Sequence, residues 1–160
     1  MLIVRAIIAA TSLFALTSLA HSASDATHII EACLKSSSET PANARTCVDR
    51  VAGPCMKKPE GQSTPGMVDC IMVETKAWDD ILNAEYNRLL PLLKGEAVGD
   101  VKKAQRLWIE ARDADCRVPY YFYDGGTIVK ILGAECERNH TADRAILIKN
   151  WREMAQGEDQ

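Results

Sequence analysis

The stretch QRLWIEARDADC, residues 105–116, gathers side chains that enzymes use: the carboxylates Glu110, Asp113 and Asp115, a guanidinium at Arg112, an indole at Trp108 and a sulfur at Cys116. Two carboxylates flanking a sugar can hydrolyse a glycosidic bond, but only across a cleft wide enough to hold it. A charged pair in a cleft can be tuned for proton transfer. The spacing favours neither. Glu110, Asp113, Asp115 and, later, Asp143 are distributed like ordinary solvated or bridging helix charges, and no serine elbow or glycine-rich phosphate loop accompanies them. No nucleophile or histidine stands at motif spacing beside Arg112 and Asp113. We therefore read both as anchors, Asp113 toward a loop backbone or Arg144, and Arg112 toward Asp79 or Glu85 through a forked, bidentate contact. Trp108 is expected to fill a gap between helices. No catalytic residue and no cofactor is expected.

The sulfur chemistry is oxidative. Six cysteines, Cys33, Cys47, Cys55, Cys70, Cys116 and Cys136, form an even set in a small chain, the pattern of a disulfide framework. Zinc is the competing use of cysteine. No pair has the two-residue spacing of a zinc knuckle, and His21, His28 and His140 are scattered, so no metal site is expected. Cys116 is expected to bond Cys136. Cys33 with Cys47 and Cys55 with Cys70 are the readings for the rest, and an exchange that joins Cys33 to Cys70 stays open.

Between the last two cysteines lies RVPYYFYDGG, the strongest candidate for recognition. Tyr120, Tyr121, Phe122 and Tyr123 are consecutive, so on an irregular loop they cannot all face one core. Tyrosine combines contact area with a polar tip and is enriched at interface hot spots. Asp124 adds a charge, and Gly125 and Gly126 permit a sharp turn. The alternative is that two rings close the end of the bundle while the others lie flat on its surface.

These side chains need elements to hold them. Residues 1–20 have one cation, Arg5, then an apolar run and small residues, the layout of a secretory signal cleaved at positions 20–23. The run is short for a spanning helix, so no membrane association is expected after cleavage. Losing Arg5 takes the formal charge from −3 to −4, which argues against nucleic acid and fits a basic extracytoplasmic partner. About one domain remains. Residues 25–35 and 42–51 suit short helices separated by SSSETP, and residues 52–67 are expected to be irregular. A long helix follows, started by Thr64 as cap with Pro65 behind it. It carries Met67, Ile71, Trp78, Ile81, Leu82 and Leu89 on one stripe and ends near Pro91 and Gly95. A second, over residues 101–117, turns Val101, Ala104, Trp108, Ala111 and Asp115 to one side. A third spans residues 127–154 and has a candidate break at His140 and Thr141. With no alternating strand in view, the class is all-α, a small disulfide-stapled bundle of antiparallel helices.

With these pieces placed, the words CIMVETKAWDDILNAEYNRLL, AQRLWIEARDADC, the glycine pair at Gly125 and Gly126, and AECERNHTADRAILI together resemble the family of the lysozyme inhibitor LprI. The resemblance covers about residues 55–151. It implies an exported helical domain over residues 55–156, preceded by an added helical segment over residues 24–54. For the family's founding type it implies binding and inhibition of lysozyme. We expect Trp78, Asn83, Tyr86, Gln105, Trp108, Arg112, Asp113, Gly125, Gly126, Thr141 and Arg144 to build the frame. Tyr120, Tyr121, Phe122, Tyr123 and Asp124 are expected to meet the partner, lysozyme or another cell-wall-active protein. The alternative is an envelope structural or stress-associated module with a different protein or cell-wall partner. Oligomeric state is left open.

Overall fold

The computed structural model describes residues 14–37 and 41–157. Among them are seven α-helices and no strand: α1 (Phe14–Ser36), α2 (Pro41–Ala44), α3 (Ala52–Met56), α4 (Thr64–Leu89), α5 (Ala97–Asp115), α6 (Pro119–Phe122) and α7 (Ile128–Gln156). The leader expected over residues 1–20 lies outside the described residues as far as position 13, as do residues 38–40 of the polar break. Helix α1 runs through the expected cleavage positions 20–23. No helix among the described residues is long and apolar enough to cross a membrane.

Local chemistry sets most boundaries. Helix α4 is capped by Ser63, whose hydroxyl accepts from the Gly66 N–H at 3.2 Å, one residue earlier than the expected Thr64 cap. A proline is tolerated at either of the first two helical positions, because neither N–H has an intrahelical partner. Helix α7 passes His140 and Thr141 without a break, and the Thr141 hydroxyl donates to the Glu137 carbonyl at 2.7 Å within the helix. It ends at Gly157, where φ of 76° supplies the left-handed cap. Residues 52–67 are more regular than expected. They hold α3 and a 3-10 turn at Pro59–Gly61.

Packing is led by α4 against α7, with α1 laid on α4. Ile71 of α4 clusters with Ile131 and Ala134 of α7, while Glu85, farther along α4, meets Arg152, farther along α7. These two helices therefore run in the same direction, and α5 returns between them in sequence. Trp78, Ile30, Ile71, Leu82, Leu89 and Ile148 are fully buried, each contributing about 1.5–3 kcal/mol from desolvation. Ala26, Ile30 and Leu34 of α1 belong to the same core as α4 and α7. Helix α5 differs: none of its residues is fully buried. Val101, Ala104 and Trp108 are half-buried, whereas Ala111 and Asp115, expected on the inward side, are exposed, because α5 meets the bundle mainly through α7.

Two buried acids tie the layers together. Glu74, with no exposed surface, accepts from the backbone N–H groups of Asp49, Val51 and Ala52 at 2.6, 2.9 and 2.7 Å and from the Trp78 indole at 3.3 Å. It caps the start of α3 from another helix. Glu85 accepts from Arg152 Nε at 2.6 Å and Arg88 Nη1 at 2.9 Å. Asp49, at a φ of 71°, receives Arg138 Nη1 at 3.0 Å.

Candidate functional site

Disulfides join Cys33 to Cys47, Cys55 to Cys70 and Cys116 to Cys136, so the exchange of Cys33 with Cys70 does not occur. The last of these pins the end of α5 to the middle of α7 and encloses α6. Pro119 opens α6, where its missing N–H costs nothing. The aromatic run is thus a short helix rather than an irregular loop. Gly125, at φ of 76°, then turns the chain, and the Gly126 N–H closes the turn on the Tyr123 carbonyl at 2.8 Å. Asp124 sits at the turn, exposed.

All four rings reach the surface. Tyr120 and Tyr123 are each 51% exposed, Phe122 76% and Tyr121 84%. Tyr120 is the seated member: its ring lies so close to Gly133 of α7 that a Cβ there would come within 3.3 Å of it. Beside it opens a groove of about 760 Å³ lined by Val68 and Met72 of α4, Tyr120, and the charged Asp113, Lys130 and Glu137. Met72 is itself 59% exposed. The Cys116–Cys136 disulfide limits how far the backbone beside this groove can move.

Of the residues expected to build the frame, Gln105, Trp108, Arg112, Asp113 and Arg144 are joined in one contact set, an arrangement not legible from spacing. Guanidinium and indole alternate: Arg112 lies 5.1 Å and Arg144 5.7 Å from the centre of the Trp108 ring, and Arg144 is also 5.2 Å from that of Trp151. Arg144 Nε donates to Gln105 Oε1 at 2.9 Å. Its Nη2 is buried without a partner, a cost of about 1–3 kcal/mol that the flanking indoles offset in part. Burial holds this guanidinium below its usual pKa, an effect opposed by Tyr86. Arg112 does not cross to Asp79 or Glu85. It donates from Nε and Nη2 to its neighbour Asp113 at 3.0 and 2.8 Å, because stacking on Trp108 keeps it on its own helix, and Asp113 in turn does not reach Arg144. Asn83 donates to Asp79 at 3.0 Å on the outer face of α4, and Trp78 is buried against Glu74.

This arrangement makes Trp108→Leu a test of frame against contact surface. The change should cost about 1–2 kcal/mol, the indole's cation contacts plus lost packing, read as a lower urea midpoint. The exposure of the α6 rings, read by tyrosine fluorescence quenching well below that midpoint, should be unchanged, because the Trp108 ring faces Arg112 and Arg144.

Sequence reasoning did not single out Glu74, Trp151, Arg138 or Arg152. The acids carried a signal, since positions 74 and 85 fall on the same helical stripe as Ile71, Trp78, Leu82 and Leu89. His140 is half-buried beside the Cys116–Cys136 disulfide and 3.6 Å from Asp115.

The family model described as Lysozyme inhibitor LprI matches residues 55–146 of the chain. No curated protein and no solved structure shows a match to it.

Proposed function

Because the chain belongs to the lysozyme inhibitor LprI family, we propose that it is an exported, non-enzymatic binding protein that inhibits a basic c-type lysozyme through α6 and the turn after it. The observation that carries this reading is the exposure of Tyr121 and Phe122, 84% and 76%, on a four-residue helix held from behind by a disulfide. Large apolar rings at an exposed tip contribute nothing to the core, yet a partner that covers them gains their full desolvation. Preorganisation by the disulfide lowers the ordering cost of binding. Asp124 beside them would face an arginine or a donor of the sugar site. The chain's formal charge of −3 favours encounter with a cationic enzyme. Three closed disulfides fit a protein that folds outside the cytoplasm, and cleavage at positions 20–23 would leave Ala26 and Ile30, the first core residues of α1, intact.

The test is titration of the oxidised, mature protein against c-type lysozyme while cell-wall lysis is followed. Absence of inhibition at large molar excess would discard the proposal, and capture of a different envelope protein through the same rings would favour the module reading instead. Within the proposal, the double variant Tyr121→Ala/Phe122→Ala should weaken inhibition by about 2 kcal/mol, roughly 30-fold. Its thermal midpoint should stay near wild type, as both rings are largely exposed.

A further inference from the structure

At the corner where α5 ends against α7, three groups with metal-ligand chemistry converge. The sulfurs of Cys116 and Cys136 and a ring nitrogen of His140 all lie within 4.8 Å of one another. His140 Nε2 is 3.6 Å from Asp115 Oδ2, so the carboxylate can orient the imidazole from outside the ligand set. Cys136 and His140 are four residues apart on one helix, so they share a face and can chelate together. Asp115 and Cys116 are adjacent at the end of α5. Among the described residues, no other disulfide has a histidine in such reach. In the oxidised protein both sulfurs are used by each other, 2.04 Å apart.

We propose that reduction of the Cys116–Cys136 disulfide turns this corner into a zinc site with Cys116, Cys136 and His140 as its protein ligands and a water molecule as the fourth. A dithiol reductant supplies two electrons and two protons, the S–S bond breaks, and the reductant leaves as its own disulfide. On binding Zn²⁺ the two new thiols release their protons to solvent and two Zn–S bonds form. The sulfurs need only separate to about 3.8 Å, the distance set by two Zn–S bonds of about 2.3 Å at a tetrahedral angle. The consequence is specific to α5. That helix has no fully buried residue, so losing its covalent tie exposes it to detachment, and the metal restores a link at the same point. The site is independent of the lysozyme reading.

The experiment uses the full mature chain, reduced and oxidised, with Co²⁺ as spectroscopic probe and Zn²⁺ as competitor. The reduced chain is expected to bind one equivalent of Co²⁺ with the intense visible bands of a tetrahedral thiolate site, displaced by Zn²⁺, and the oxidised chain to show none. His140→Ala, shown to be folded in its oxidised form by circular dichroism, should lower the zinc affinity of the reduced chain at least about 100-fold, since losing a direct ligand should exceed the 10–100-fold cost of losing an outer partner. His28→Ala, with every thiol still present, should bind as wild type. Equal affinity of the two histidine variants, tetrahedral bands in the oxidised chain, or a reduced chain that neither binds nor is ordered by zinc would each overturn the proposal.

Discussion

Glu74→Ala is expected to lower the unfolding free energy by about 3–5 kcal/mol, the range for removing one partner from a buried charged network, read as a shift in urea midpoint at constant slope. The carboxylate has no exposed surface and receives three backbone N–H groups, from Asp49, Val51 and Ala52, together with the Trp78 indole. Alanine leaves those donors without acceptors in a space that water reaches poorly, at about 1–3 kcal/mol for each one stranded. Glu74→Gln keeps one acceptor oxygen and should lose less. The loss from wild type to glutamine reports the oxygen replaced by an amide, and the further loss to alanine the acceptor that glutamine retains. A loss below about 1 kcal/mol for alanine would mean that solvent replaces the carboxylate, contrary to the burial seen here.

The second large effect concerns the link between α5 and α7. The double variant Cys116→Ser/Cys136→Ser opens a loop with a sequence separation of 20 residues, for which the chain-entropy account gives about 3 kcal/mol. The loss should be uneven. Without the bond, α5 keeps the Gln105 contact to Arg144, the Asp115 contact to His140 and the partial packing of Val101 and Trp108, with no fully buried side chain of its own. Amide exchange should therefore accelerate across α5 and α6 while α4 and α7 keep their protection. Under the proposed function, lysozyme inhibition should fall with the loss of a preorganised α6. Uniform acceleration over the whole chain would show instead that α5 is an integral part of one cooperative unit.

The long helices were legible because their apolar residues recur at helical period: Ile71, Trp78, Leu82 and Leu89 in α4 are all buried, as the stripe requires. Pairing of the nearest cysteines was legible from proximity along the chain. The cross-layer ties were not. Asp49 with Arg138 and Glu85 with Arg152 join positions 89 and 67 residues apart, and which charges meet depends on the direction in which α7 returns relative to α4. That α6 is helical was hidden by its length, too short to show a period. Exposure of its rings follows from where the disulfide places it, a property of tertiary structure and not of the tyrosines themselves.

The three bridges also share an order. Each joins a cysteine to the next one along the chain, with separations of 14, 15 and 20 residues, and none overlaps another. A polypeptide that emerges amino end first into an oxidant therefore always has the correct mate as the next thiol to appear. Haste in oxidation then does no harm, and maturation should proceed at full yield without an enzyme that reshuffles wrong bonds.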